Sequence, residues 1–291
     1  MKFLNFGSLN IDKVYKVPHF VSEGETLSSV KYDEFAGGKG LNQSIALSKA
    51  GACVFHAGKV GKDGSFLKQT LIKQGVNVEK VREDGTITGH AIIQVDSNGQ
   101  NCILLFGGAN KEITKEQIDS VIDRFDAEDI LVLQNEINEI DYIINTAKEK
   151  GMSIALNPSP IDEKIININY DKIDYLILNE IEGKDISGEE EPKKILDTLL
   201  SKHENLKIVL TLGGKGVVYK DKNQMAKQDI FKVDVVDSTA AGDTFMGYFL
   251  SIISQSNDVK LALRIASKAA SIAVSRKGAS SSIPLLDEVK C

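Results

Sequence analysis

One carboxylate in this sequence stands where an acidic side chain needs a reason to be. Residues 236–249 read V-D-S-T-A-A-G-D-T-F-M-G-Y-F. A β-branched approach, Val233, Val235 and Val236, predicts a buried strand. A turn of small residues follows, Ala240-Ala241-Gly242. Apolar residues then recur at helical spacing in Phe245, Phe249, Ile252 and Ile253. Asp243 and Thr244 fall at the head of that helix, where Asp and Thr cap well. A strand, a turn without bulk and a helix N-terminus together form an anion site, because unpaired N–H groups and the helix dipole converge there. Phosphate is the expected anion. A carboxylate beside a phosphate is costly unless it takes a proton, and an attacking hydroxyl supplies one. An ordinary capped helix after a strand has the same local pattern.

A second glycine-rich turn lies early in the chain. Ala36-Gly37-Gly38-Lys39-Gly40 opens a helix through Leu41, Ile45, Ala46 and Leu47 that closes at Gly51, with Asn42 in its first turn. Glycine lets backbone approach a ligand, and the helix start offers free N–H groups. The Walker pattern is absent: Lys39 is followed by Gly40 where that pattern needs Ser or Thr, and the leading spacing differs. Tight strand-to-helix packing alone also accounts for the glycines. Taken singly, Lys39 reads as a solvated cation and Glu136 as a loop carboxylate.

The elements that must position these residues alternate along the chain. Strands are expected at 2–6, 53–58, 88–95, 101–106, 130–134, 153–156, 175–178, 207–212 and 217–219. Helices are expected at 65–75, 114–124, 139–151, 192–200 and 259–274. Short apolar strands alternating with amphipathic helices imply an α/β fold, a mainly parallel central sheet with helices on both faces. Asn10, Asp12, Glu136, Asn157, Asn179, Thr211 and Asp243 all read as following strands. Ligands of open α/β sheets bind at that edge. Two stretches, 10–37 and 85–107, break the alternation; they are expected to form one small β-sheet lid over the site. Asp96-Ser97-Asn98-Gly99 is a hairpin turn within it. The remainder, 1–9, 38–84 and 108–291, is expected to form the main α/β domain.

Bulk properties narrow the function. The net charge of -6 provides no basic field for nucleic acid or an anionic membrane. Three cysteines at wide spacing, Cys53, Cys102 and Cys291, make neither a disulfide framework nor a zinc pattern. The first two are expected to be buried small apolar residues and the last a tail residue. Four scattered histidines give little support to a His-based centre. The N-terminus turns polar too early for a signal peptide, and no apolar run reaches the length of a membrane span. A cytoplasmic protein is expected.

Six motifs in order make the chain resemble a known family: G-S-L-N-I-D at 7–12, A-G-G-K-G-L-N-Q-S-I-A at 36–46, N-P-S-P at 157–160, N-E-I-E at 179–182, T-L-G-G-K-G at 211–216 and D-S-T-A-A-G-D-T-F at 237–245. These resemble the PfkB-type sugar kinases, and within them the ribokinase group. The resemblance runs from Met1 to Pro284. It implies a ribokinase-like α/β sandwich with a small β lid, transferring the γ-phosphoryl of ATP to a sugar hydroxyl with Mg²⁺, most simply the 5-hydroxyl of D-ribose. Asp243 matches the catalytic base, and the N–H groups of Ala240, Ala241 and Gly242 match the anion hole. Asn10, Asp12, Gly38, Lys39, Asn42 and Glu136 match the sugar site. Asn179, Thr211, Gly213 and Gly216 match the nucleotide site, and Glu182 the position that organises Mg²⁺ through water. Asp237, Thr239, Ala273, Gly278 and Ser282 match a K⁺ site.

Some positions depart from the family pattern. The anion turn reads A-A-G-D where G-A-G-D is common across the broad family, although Ala in the first place is frequent in the ribokinase group and so fits the resemblance. Ser267 stands where Asn or His often meets the adenine. Phe106 stands where the lid offers smaller residues to the sugar. The end of the chain leaves a short final helix or none. The same chemistry on deoxyribose, a nucleoside, a ketohexose or ketodeoxygluconate is the near rival, and a silent sugar sensor the distant one. A dinucleotide oxidoreductase would need a G-x-G-x-x-G after the first strand, which this chain lacks. Open strand edges on the lid make a homodimer the expected assembly.

Overall fold

The computed structural model describes residues 1–290. In chain order the first part comprises β1 (Phe3–Phe6), β2 (Asn10–Lys16), β3 (Lys31–Gly37), α1 (Lys39–Lys49), β4 (Val54–Gly61), α2 (Ser65–Lys73), β5 (Asn77–Gly85), β6 (Gly89–Val95) and β7 (Asn101–Phe106). The middle comprises α3 (Lys115–Ile122), β8 (Ile130–Gln134), α4 (Ile140–Glu149), β9 (Ser153–Asn157), α5 (Glu163–Ile166), β10 (Tyr175–Asn179), α6 (Glu180–Ser187) and α7 (Pro192–Lys202). The last part comprises β11 (Lys207–Thr211), β12 (Val217–Lys220), β13 (Met225–Gln228), α8 (Ala241–Ser256), α9 (Val259–Val274) and α10 (Leu286–Lys290).

Nine strands form one sheet in the order β13-β12-β11-β10-β9-β8-β1-β4-β5. Seven run parallel from β11 to β5, and β12 and β13 turn back antiparallel. Side chains alternate across a strand, so each inner strand feeds two cores. In β11, Val209 joins the core shared with α1, α8 and α9, whereas Ile208 and Leu210 join the core shared with α3, α4 and α7. That two-sided burial explains why these strands are short unbroken apolar runs.

A separate four-stranded sheet has the order β3-β2-β6-β7. β2 pairs antiparallel with β3 and parallel with β6. Its outer strand β7 is exposed at every residue. Strands from both interruptions of the alternating pattern thus meet in this one small sheet. Among the described residues no helix is long and apolar enough to cross a membrane.

Four expectations fail. The Val233–Val236 approach is no strand: Val235 is 69% exposed, and the chain there runs without a ladder partner. β-branched residues mark a buried strand only where a neighbouring strand is available. Cys53 and Cys102 are exposed, one in the turn before β4 and the other on β7; Cys291 lies outside the described residues. Asn10 and Asp12 do not follow a strand of the large sheet directly but open β2 of the small one. Asp243 and Thr244 do not cap their helix: α8 begins at Ala241 behind Ala240, which sits in the left-handed region at φ 59°. The final helix is short, as expected.

Candidate active site

α1 and α8 carry the central residues, and glycines set their approach. A Cβ on Gly247 would lie 2.4 Å from that of Ala46, so only glycine lets the two helices pack this closely. A Cβ on Gly40 would lie 2.3 Å from the Ser8 nitrogen, so the first turn of α1 sits directly on the loop after β1. Gly38, at φ 98°, makes the turn into α1. The result places the first turns of α1 and α8 side by side.

Asp243 is buried there with both carboxylate oxygens engaged. Gln43 Nε2 donates to Oδ1 at 2.9 Å, and Asn42 Nδ2 donates to Oδ2 at 3.2 Å. The buried Asn42 Oδ1 has no partner. Asp243 also borders a cavity of about 240 Å³ whose wall includes Lys39, Glu182, Ala240, Ala241 and Gly242. The first N–H groups of a helix lack intrahelical acceptors, and this wall includes the first turn of α8. The Ala241 N–H reaches the Ser238 carbonyl only at 3.3 Å. A Cβ on Gly242 would meet nothing within 4 Å, so that face is open.

The expected sugar residues gather around the Gly37–Gly38 turn. Glu136, just after β8, accepts the Lys39 N–H at 2.9 Å and the Ser8 hydroxyl. Asn110 Nδ2 donates to Asn10 Oδ1 at 2.7 Å, which leaves the Asn10 amino group to face elsewhere. Burial and the nearby Glu136 push the Asp12 carboxyl up to about 7. Burial works against the Lys39 ammonium, but Asp243, Glu136 and Glu182 hold it above its ordinary value. Lys39 is thus no solvated surface cation.

A larger cavity of about 800 Å³ adjoins the first. Asn179, Thr211, Gly213, Gly216 and Ser267, the residues singled out in the sequence for the nucleotide, all line it. The two cavities share Asn179, Thr211, Ser238, Ala241 and Gly242, so they meet at the head of α8. Val233 and Val235, expected in a buried strand, form part of the larger wall. Asn179 and Glu182 also make a capping box at the start of α6, with reciprocal bonds of 2.9 Å. One Glu182 oxygen is therefore committed to the Asn179 N–H.

Asp237 braces two segments. Its Oδ1 accepts the Thr239 N–H at 2.9 Å and its Oδ2 the Gly278 N–H at 3.0 Å. Burial opposes the charge, but these bonds hold its carboxyl below the usual range. The Asp237 N–H donates to the Val274 carbonyl beside Ala273. Asp237, Thr239, Ala273 and Gly278 thus share one locus. Ser282 is buried and turns its hydroxyl to the Ala279 carbonyl. Phe106, half-exposed on β7, packs on the His90 ring at 5.1 Å and lines neither cavity.

Gln43 and Gln134 were absent from the sequence-based site. The only signal is position: Gln43 follows Asn42 in the glycine-rich motif, and Gln134 ends an otherwise apolar strand.

This cleft sits on an α/β fold of a defined class. Residues 2–286 match the profile of the pfkB family carbohydrate kinases. The chain is 35% identical to the ribokinase of Staphylococcus aureus over 99% of this chain and 98% of that one. It is 32% identical to the deoxyribokinase of Salmonella typhi over 97% of this chain and 95% of that one. The structure of Arabidopsis thaliana ribokinase complexed with ribose and ATP superposes with a TM-score of 0.85 at 28% identity, covering 99% of this chain and 97% of that one. The chain belongs to the pfkB family of carbohydrate kinases.

Proposed function

We infer that this enzyme transfers the γ-phosphoryl group of ATP to the 5-hydroxyl of D-ribose. The observation that carries the reading is the junction: two adjoining cavities, one polar and one larger, meet at a helix start that bears a buried carboxylate. The likeness to ribokinases, one of them complexed with ribose and ATP, supports the choice of substrates.

Asp243 takes the proton of the sugar hydroxyl as its oxygen attacks the γ-phosphorus. The O–P bond forms, the bond to the β-phosphate bridging oxygen breaks, and ADP leaves. N–H groups of the Ala240-Ala241-Gly242 turn offset charge on the transferring group. Asn10, Asp12, Gly38, Lys39, Asn42 and Glu136 hold the sugar. Asn179, Thr211, Gly213, Gly216 and Ser267 hold the nucleotide.

Magnesium, when bound, supplies charge neutralisation at the phosphates. The free oxygen of Glu182 would orient it through water, and a single carboxylate fits an ion that keeps its waters and takes phosphate ligands. The Asp237 locus fits a weakly hydrated cation such as K⁺, with the carboxylate and the carbonyls of Thr239, Ala273 and Gly278 as donors; Ser282 would join from its neighbouring turn. The small sheet, 10–37 and 85–107, acts as a lid on the kinase body of 1–9, 38–84 and 108–291. Its apolar outer strand, with Leu104 68% exposed, suits a homodimer through the lid. The need for ATP suits the cytoplasm.

ADP release with ATP and Mg²⁺ against ribose, deoxyribose, ribonucleosides, fructose and ketodeoxygluconate tests the reading. Ribose should turn over fastest, and K⁺ should raise the rate. Preference for deoxyribose would transfer the assignment to the activity of the Salmonella typhi relative. No turnover on any sugar would refute it.

A further inference from the structure

A chain of fully buried polar side chains runs away from Asp243 into the protein. Gln43, Gln134, Asn5, Ser44 and His56 are each 0% exposed. Gln43 Oε1 accepts from Gln134 Nε2 at 2.7 Å, and Gln134 Nε2 also donates to Asn5 Oδ1 at 3.0 Å. Asn5 Nδ2 donates to the Gly40 carbonyl and to Ser44 Oγ, both at 2.9 Å. Ser44 Oγ meets His56 Nδ1 at 2.8 Å, and His56 Nε2 meets the Gly7 carbonyl at 3.2 Å.

An amide can present either end to a neighbour, so a row of amides has a polarity that something must choose. Here backbone carbonyls choose it. The Gly40 carbonyl can only accept, so Asn5 must turn its amino group that way. Asn5 Oδ1 then faces Gln134, which must present its amino group. Gln43 therefore turns its oxygen to Gln134 and its amino group to Asp243. The far end agrees. The Gly7 carbonyl fixes the proton on His56 Nε2, so His56 Nδ1 accepts from the Ser44 hydroxyl, whose lone pair accepts from Asn5. Every orientation follows from two carbonyls.

We propose that Gln43 is a positioning residue for phosphoryl transfer, and that the Gln134–Asn5–Ser44–His56 relay serves to keep its amino group aimed at Asp243. The proposal rests on Asp243 being the base. An ionised carboxylate is acceptor-only, so a donor on Oδ1 suits it and an oxygen there would repel it. With Gln43 on Oδ1 and Asn42 on Oδ2, the carboxylate plane is held fixed against the cavity. Gln43 is fully buried and spends both ends of its amide on Asp243 and Gln134, so it acts through Asp243 and not on a substrate.

A double-mutant cycle tests this. Gln43→Leu should lower kcat by about 10–100-fold, the scale of a base displaced by about 1 Å, with the sugar KM changed by less than about threefold. In the Asp243→Asn background the same substitution should cost no further kcat, because a residue that works only through Asp243 has nothing left to position. Gln134→Met, which leaves Gln43 in place but frees its amide to turn, should lower kcat by about 3–30-fold with the same non-additivity. This variant carries the test if Gln43→Leu does not fold. Full activity in either folded variant, or a loss that multiplies in the Asp243→Asn background, would overturn the relay. Normal kcat in Asp243→Asn alone would instead overturn the assignment of the base, so the two failures are distinguishable.

Discussion

The two cavities that meet at the head of α8 are built on opposite plans. The smaller is bordered by charged and polar groups: Asp243 is held by two amides, and Lys39 feels the charge of three carboxylates. The larger presents mostly glycine and apolar surface, with Asn179, Thr211, Lys232 and three serines among it. An added Cβ would meet nothing within 4 Å at Gly213 or Gly214, and the exposed valines come from a segment without a ladder. A site of fixed hydrogen bonds rejects a ligand that lacks a matching hydroxyl, whereas an apolar slot discriminates by only about 1–3 kcal/mol per methylene. Strict recognition is therefore expected where Asp243 and Lys39 meet the sugar, Lys39 being the one of the six expected sugar residues that borders the smaller cavity, and tolerance on the nucleotide side.

Asp243→Asn removes the base from the strict side and should lower kcat by roughly 10²–10⁴-fold while both ligands still bind. A folded variant with near-normal turnover would dissolve the contrast, since the buried carboxylate would then have no chemical role. The support beneath that side has its own signature. Burial pushes the His56 imidazole from 6.5 down to about 4, so the folded protein keeps it neutral where the unfolded chain would charge it. Stability from this residue is complete above pH 6.5 and is lost as pH falls toward 4, by about 3 kcal/mol in total. Denaturant titrations should show that slope, and His56→Gln should flatten it between about pH 6.5 and about pH 5.

The sugar site itself should respond near neutrality. Asp12, raised to about 7, carries a proton below that pH, and sugar hydroxyls donate better to the ionised form. The sugar KM should thus rise as pH falls below about 7, by up to about tenfold per unit, and Asp12→Asn should abolish the dependence. On the tolerant side the effects are small. Val235→Ser removes apolar contact worth about 1 kcal/mol, so the nucleotide KM should rise about fivefold with kcat within about twofold. A large kcat loss from Val235→Ser would show that the nucleotide wall is as strict as the sugar wall.

The central sheet was legible because its inner strands are buried on both faces, which leaves short apolar runs and polar residues at their ends. β5 was not, because only Val78 and Val81 of its residues are buried and the rest are exposed or half-exposed on an edge strand. β13 is four residues long and carries no apolar run at all. Of the residues of the larger cavity, Asn179 and Thr211 were legible as polar residues at strand ends, but their nucleotide role, like that of Gly213 and Gly216, was legible only through the family resemblance. Gln43 and Gln134 were not, because a glutamine that completes a buried relay looks the same in sequence as one on the surface. The difference lies in partners such as Asn5 and the Gly40 carbonyl, which are distant in sequence and adjacent only in the fold.

A crystal structure of the Asp243→Asn variant with ribose and a non-hydrolysable ATP analogue would test the central claim most directly. The sugar 5-hydroxyl should lie within about 3 Å of residue 243, with the γ-phosphate between it and the 240–242 turn. A γ-phosphate away from that turn, or a reacting hydroxyl held by another side chain, would contradict the account.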